Sequence, residues 1–334
     1  MKAHHYGFKK SMENDNCTDV DQLTRYYLPI AYAAIFIVGL VGNVTSIAIH
    51  VTKLRPWRSS SIIMVNLALT DLLYVLSMPF LVHFYSTGDW VLGDFMCRFV
   101  RFGFHLNLYG SVLFLTCLAL FRYVIVVKPL MVAQVQRKIW GLAACTAVWF
   151  LAAAEIVPMF WMISLQPRGN ETHCLDFAST EPVDAVRLYS WLLTAFGFFL
   201  PLVVVFLCYI GIVRELAKGP YTSSSPRARA RCMTVLILVV FVVCFLPYHI
   251  LRVWRIETRH MAGDSACAVH AAYIVSRPLA GLNTVFNLVL YTLSGDQFRK
   301  ALLRTFYWDY GLTKAKALIQ VAVIKRAGAD PPAA

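Results

Sequence analysis

Seven stretches of mostly apolar residues follow one another along this chain, near 28–50, 61–85, 97–127, 139–163, 188–213, 233–254 and 270–293. Each approaches or exceeds the roughly 20 residues that, at about 1.5 Å of rise per residue, cross the hydrocarbon of a bilayer as an α-helix. Several carry polar residues, so the pattern rests on the seven together. In lipid the backbone polar groups must be satisfied within each segment, which favours helices. The pattern predicts an all-α membrane protein, a bundle of seven transmembrane helices over 27–293, with a tail over 1–26 and another over 294–334. Within that last tail, Phe298, Leu302, Leu303 and Phe306 recur at helical spacing among Arg299, Lys300 and Arg304. This suits a short amphipathic helix lying on an anionic lipid surface.

Composition agrees with the pattern, because 59% of the 334 residues are hydrophobic. The formal net charge of +13 would suit a nucleic-acid partner, but its distribution points elsewhere. Lys53, Arg55 and Arg58 fall between spans one and two, Lys128, Arg137 and Lys138 between three and four, and Arg214, Lys218, Arg227, Arg229 and Arg231 between five and six. The alternate loops hold Asp89, Asp94, Glu171, Asp176, Glu181 and Asp184. Basic loops stay in the cytosol, which predicts an extracellular N-terminus, a cytosolic C-terminus and no role for nucleic acid. Met1 to Ser11 has no apolar core of a cleavable signal peptide, so the first span is expected to direct insertion.

The sequons at Asn16 and Asn170 fall on the same expected outer side, whereas the one at Asn43 lies inside a span and is discounted. Cys17, Cys97, Cys174 and Cys267 also fall there, where disulfides persist. Four cysteines allow three pairings, and spacing alone does not choose among them.

The candidate chemistry lies in the outer halves of three spans. Arg101 and His105 are four residues apart, His249 and Arg252 three apart, and Tyr273 and Arg277 four apart, so each pair shares a helix face. Three arginines thus arrive at similar depth from separate helices, and no acid within those helices matches them. Unpaired charge there is costly, and a guanidinium fork suits carboxylate or phosphate, so a small anion from outside is the expected partner. The bland alternative is that the arginines extend to the interface or pair with loop acids such as Asp176 or Glu181. Arg255 and Arg259, nearer the loop, are assigned to that alternative.

Enzyme and transporter readings find less support. His105, Cys117 and His249 could be imagined as catalytic, but no HExxH, GxSxG or paired-acid arrangement accompanies them. An anion transporter would need a continuous polar path and usually an internal repeat, and neither is visible. Two further acids lie within spans: Asp71, a functional candidate on cost alone, and Glu155, for which the sequence suggests no partner.

Motifs on successive spans then resemble the rhodopsin-like, G protein-coupled receptor family over about 27–306. They are Gly42-Asn43-Val44, Leu67-Ala68-Leu69-Thr70-Asp71, Cys97 with Phe121-Arg122-Tyr123, Trp149 with Pro158, Pro201 with Tyr209, Cys244-Phe245-Leu246-Pro247, and Asn287-Leu288-Val289-Leu290-Tyr291. The resemblance implies a plasma-membrane receptor and a heterotrimeric G protein partner. It implies coupling and activation through Arg122, Tyr123, Tyr209, Pro247, Asn287 and Tyr291. It also implies an allosteric sodium ion at Asp71, Asn107, Ser111, Asn283 and Asn287, a hydrogen-bonded network without ion being the alternative, and no other metal or cofactor. Two residues depart from the family pattern. Phe121 stands where an acid usually pairs with the arginine, and Leu288 stands where a proline usually bends the seventh helix.

His249-Ile250-Leu251-Arg252 and Ser276-Arg277-Pro278-Leu279-Ala280 are similar to the purinergic branch of that family. Within it, Met64-Val65-Asn66-Leu67, Leu92-Gly93-Asp94-Phe95-Met96-Cys97, His249-Ile250-Leu251-Arg252-Val253 and Ala272-Tyr273-Ile274-Val275-Ser276-Arg277-Pro278 resemble the 2-oxoglutarate-receptor type. That resemblance implies bridges Cys97–Cys174 and Cys17–Cys267. It implies 2-oxoglutarate as agonist and Gq-type signalling through phospholipase C to calcium. Charge alone would also admit succinate, a nucleotide or a leukotriene-like acid.

Overall fold

The computed structural model describes residues 17–169, 171–218, 226–259, 261, 263–294 and 297–304. The first helix, α1, runs continuously through Thr18–Gln22, a wider π turn at Leu23–Tyr27, and Leu28–Thr52. Next come α2 (Ser59–Thr87), α3 (Gly93–Val127) and α4 (Lys138–Met162). Helix α5 comprises Val183–Thr194, a π turn at Ala195–Phe199 and Leu200–Leu216. Helix α6 is built the same way from Pro226–Val240, Phe241–Phe245 and Leu246–Glu257. Both π turns lie just before a proline, Pro201 and Pro247. A proline offers no N–H to the preceding turn, and the helical ladder widens where that bond is missing.

The seventh span is the exception in its regularity. Among the described residues, six helices are long and apolar enough to cross a membrane as single pieces. Helix α7 is instead made of Asp264–Gly281 and Asn283–Ser294, interrupted at Leu282 shortly after the internal Pro278. Polar side chains meet the carbonyls at this break. The Asn43 amide donates to the Thr284 carbonyl at 3.4 Å, and the Thr284 hydroxyl to that of Gly281 at 3.0 Å. The second piece runs unbroken through Leu288, as a residue with an intact N–H allows.

Helix α3 sits at the centre, packed on α2, α4, α5 and α6, while α7 closes the ring between α6 and α1. Large apolar residues such as Ile37, Phe150, Trp161, Phe196 and Leu207 are exposed, whereas Asp71, Asn107, Ser111, Asn283 and Asn287 are buried. That inside-out distribution is the one a bilayer favours.

One end of the bundle carries both disulfides, Cys17–Cys267 and Cys97–Cys174. There β1 (Leu165–Arg168) and β2 (Glu171–Cys174) form an antiparallel hairpin with Leu165 opposite Cys174. The turn between α2 and α3 holds it: the Trp90 N–H donates to the Thr172 carbonyl at 2.8 Å, and the Thr172 N–H to the Asp89 carboxylate at 2.7 Å. Beyond the hairpin, the Arg259 guanidinium donates to the Ser179 and Thr180 carbonyls at 2.9 and 2.6 Å and to Glu181 at 3.0 Å. The loop is therefore moored both to α3 and to the end of α6.

At the opposite end a helix covers 297–304. Phe298 is buried against His50 and Tyr291, with ring centroids 5.0 and 6.3 Å apart, while Arg299, Lys300 and Arg304 are exposed. The expected amphipathic face is present over these residues. The expected sequons at Asn16 and Asn170, and the rest of the 305–334 tail, lie outside the described residues.

Candidate functional site

The arginines singled out by helical spacing all point into the bundle near its disulfide-bearing end. Arg101 (α3), Arg252 (α6) and Arg277 (α7) are buried, as are His105, His249 and Tyr273. The three arginines expected at similar depth on separate helices form two groups, Arg101 with Arg277 and Arg252 apart.

In the first group, Arg101 and Arg277 meet on one phenol. The Arg101 Nη1 donates to the Tyr85 hydroxyl of α2 at 2.9 Å, and the Arg277 Nη2 donates to the same oxygen. Both guanidinium carbons also lie near the Tyr85 ring, 5.8 and 5.3 Å from its centroid. Cys174, fixed to α3 by its disulfide, supplies a carbonyl to Arg101 Nη2 at 2.8 Å.

The three arginine-bearing helices contribute no acid at this depth, but the loop does, so the arginines are not wholly uncompensated. Asp176 follows Cys174 by two residues; its Oδ1 lies 4.0 Å from Arg101, and its Oδ2 accepts the Tyr273 hydroxyl proton. Burial alone would push this carboxyl up; Arg277 and then Arg101 outweigh it and hold Asp176 well below the usual carboxylate range. The loop-acid alternative is thus realised in part, since Asp176 joins Arg101 and Glu181 pairs with Arg259.

The second group is centred on Arg252, which is fully buried. Its Nη1 donates to the Tyr109 hydroxyl at 2.7 Å, and its Nη2 to the Thr194 hydroxyl at 2.9 Å and the Ser190 carbonyl at 3.4 Å. Its guanidinium carbon stands 5.5 Å from the Tyr248 ring centroid. His249 stacks on Phe198 with centroids 4.4 Å apart, so the π turn of α5 supplies its platform.

Between the groups lies His105. Its Nδ1 bonds the Arg101 carbonyl at 2.8 Å, so Nδ1 is the donor and, in a neutral ring, Nε2 accepts from the Tyr248 hydroxyl at 3.3 Å. The chain of contacts Arg101–His105–Tyr248–Arg252 links the two cationic groups through hydrogen bonds and one ring face. Among the described residues, Arg101 Nε, Arg252 Nε and His249 Nε2 are buried without a hydrogen-bond partner. Buried polar atoms of this kind call for a partner, protein or otherwise.

Tyr85, Tyr109, Tyr248 and Thr194 were not identified from the sequence. A tyrosine in an apolar span carries no charge signal; only its position across from Arg101, on a neighbouring helix, would have marked Tyr85, and that needs the packing. Glu155 now has surroundings: its carbonyl accepts the Tyr189 hydroxyl, and its buried Oε2 faces Gly197 of α5. A Cβ on Gly197 would stand 2.7 Å from the Tyr109 ring, too close for the ring to stay in place, and 3.4 Å from Glu155, an ordinary contact.

Deeper in the bundle, Asp71 accepts from the Asn107 amide at 2.8 Å on one oxygen and from the Asn287 amide at 2.9 Å on the other. Asn107 also reaches the Ser111 hydroxyl at 3.3 Å. The carbonyl oxygens of Asn283 and Asn287 and the Tyr291 hydroxyl are buried without partners among the described residues. This donor set is oxygen-rich and carries one carboxylate, which fits a small hard cation of single charge. At the end away from the disulfides, Arg122, Tyr123 and Tyr209 are half-buried and Tyr291 is buried beside His50. Pro247 follows the π turn of α6, between this end and Arg252.

Residues 42–291 match the family model described as 7 transmembrane receptor (rhodopsin family). The chain is 49% identical over 292 residues, 86% of its length and 86% of that protein's, to 2-oxoglutarate receptor 1 of Rattus norvegicus. It is 48% identical over 291 residues to 2-oxoglutarate receptor 1 of Mus musculus, again covering 86% of each. To purinoceptor 1 of Homo sapiens it is 38% identical over 286 residues, 84% of this chain and 77% of that protein. These relatives are receptors and not enzymes. With its seven packed helices and polar interior, the chain belongs to the rhodopsin family of seven-transmembrane receptors, G protein-coupled proteins of the plasma membrane.

Proposed function

We propose that this receptor recognises a small extracellular dicarboxylate, 2-oxoglutarate first, and signals through a Gq-type G protein and phospholipase C to raise cytosolic calcium. The observation that carries the ligand class is the pair Arg101 and Arg277 converging on Tyr85, with Arg252 held apart by His105 and Tyr248. One carboxylate is assigned to the first group and the other to Arg252 and His249, whose unpartnered nitrogens are suited to it. The ketone then lies against His105, Tyr248 or Tyr273. The likeness to receptors named for 2-oxoglutarate supports the same ligand.

In this reading the disulfide-bearing end is extracellular and the basic loops are cytosolic, following the charge asymmetry. The helix over 297–304 then lies on the cytosolic leaflet. Asp71, Asn107, Ser111, Asn283 and Asn287 hold a sodium ion in the resting receptor, which would supply the positive charge their oxygens face. Arg122, Tyr123, Tyr209 and Tyr291 form the G protein end.

The test is a calcium assay in cells displaying the receptor, with 2-oxoglutarate, succinate, nucleoside diphosphates and triphosphates, and an acidic lipid as ligands. A response led by the dicarboxylates, and lost in Arg252→Ala and Arg277→Ala at equal surface expression, is expected. A response to nucleotides alone would replace the dicarboxylate by a ligand of the purinergic kind. Uptake of radiolabelled dicarboxylate would favour transport instead.

A further inference from the structure

The arginine cluster is not simply positive. Among the described residues it gathers three guanidinium groups and one carboxylate, Asp176, so two positive charges remain to be matched. Asp176 is held from several sides. Cys174 is bonded to α3 two residues before it, the Tyr273 hydroxyl binds its Oδ2, and Arg259 grips the Ser179 and Thr180 carbonyls just after it. A side chain so fixed cannot swing away at little cost when a ligand arrives. Glu155, the other acid nearby, lies behind Tyr109 beside Gly197 and makes no ion pair among the described residues.

We propose that Asp176 is a charge filter: standing beside Arg101 and Arg277 on the Tyr273 hydroxyl, it cancels one guanidinium charge and selects ligands bearing two negative charges over those bearing three or four. The inference rests on the reading of this cluster as the ligand site. A doubly charged anion leaves the site near neutral. A tricarboxylate or a nucleotide brings surplus negative charge close to a fixed carboxylate in a low-dielectric interior, where like charges repel strongly. Discrimination of this kind comes from a built-in repulsive group as much as from attraction. The carboxylate also stays ionised here, because the two arginines outweigh its burial.

The experiment compares wild type, Asp176→Asn and Asp176→Glu in calcium assays with 2-oxoglutarate, succinate, citrate, a nucleoside diphosphate and a nucleoside triphosphate. Asp176→Asn keeps the shape and an acceptor for Tyr273 but removes the charge. The potency of the more highly charged anions relative to 2-oxoglutarate is expected to rise about tenfold per extra ligand charge in Asp176→Asn, equivalent to about 1.4 kcal/mol each. Asp176→Glu is expected to return the wild-type order. An unchanged order in Asp176→Asn overturns the filter while leaving the ligand class standing. Should Asp176→Asn fail to reach the surface, Tyr273→Phe releases the carboxylate from its anchor and must raise, by less, the potency of the more highly charged anions relative to succinate, which has no ketone for Tyr273 to meet; no shift on that scale overturns the filter. If wild type answers nucleotides but no dicarboxylate, the ligand class fails and so does the filter.

Discussion

Leu288 of α7 lies directly over Gly42 of α1, so closely that a Cβ on Gly42 would stand 2.2 Å from the Leu288 Cδ1. The residue that departs from the family pattern in α7 is thus accommodated by a glycine in α1. Gly42→Ala is expected to overpack this contact and destabilise the receptor by about 1–3 kcal/mol. Adding Leu288→Ala should restore most of the loss. Thermal unfolding of the purified receptor in detergent checks both, and an unaffected single variant would remove the contact from the account.

Tyr85 is the hinge of the first arginine group, because one oxygen accepts from Arg101 and Arg277. Tyr85→Phe leaves both guanidinium groups without that acceptor, a loss of about 1.5–3 kcal/mol for bonds to charged groups. The dicarboxylate concentration for half-maximal calcium response should rise at least about tenfold at equal surface expression. Equal potency would mean that Tyr85 does not orient the arginines toward ligand.

Replacing arginine by lysine separates charge from geometry. Arg252 uses Nη1 and Nη2 for different partners on α3 and α5, a fork that an ammonium cannot reproduce. Arg252→Lys should therefore weaken the response by about tenfold or more. Competition binding with labelled dicarboxylate measures this; near wild-type affinity would show that charge alone suffices.

The pH dependence of stability follows from Asp176. Its folded-state pKa is depressed, so its stabilising contribution is present above the unfolded value and is lost only as pH falls through the folded one. The difference in melting temperature between wild type and Asp176→Asn should hold steady from about pH 8 down to about pH 5, above the ordinary aspartate range. A difference that already shrinks between about pH 7 and pH 6 would place the carboxylate away from Arg277 and Arg101.

Away from the ligand site, the Trp149 indole N–H donates to the Asn66 side-chain oxygen at 2.9 Å, joining α4 to α2. Trp149→Phe keeps most of the apolar bulk and should cost about 1 kcal/mol. The readout is a lower melting temperature with unchanged ligand potency.

The seven spans and their order were legible because lipid imposes a simple rule of length and polarity. The inward faces of Arg101, Arg252 and Arg277 were legible because each has a polar neighbour one turn away on its own helix. Their division into two groups was not, since it depends on Tyr85 and Tyr109, uncharged residues whose importance lies in which arginine stands across from them. Asp176 could be named only as a loop acid; a loop has no periodicity from which depth can be read, and the Cys97–Cys174 bridge is what carries it inward. The interruption at Leu282 was likewise hidden, because Pro278 inside an apolar run signals a disturbance without saying where the ladder breaks.

Arg259 gives the loop a second attachment, joining the tip of α6 to the turn just after Asp176. Any tilt of that helix must pull on the same short strap that seats Asp176 against Arg101. The place of Asp176 beside Arg101 and the place of the end of α6 are therefore set by one short run of chain, and neither is fixed independently of the other.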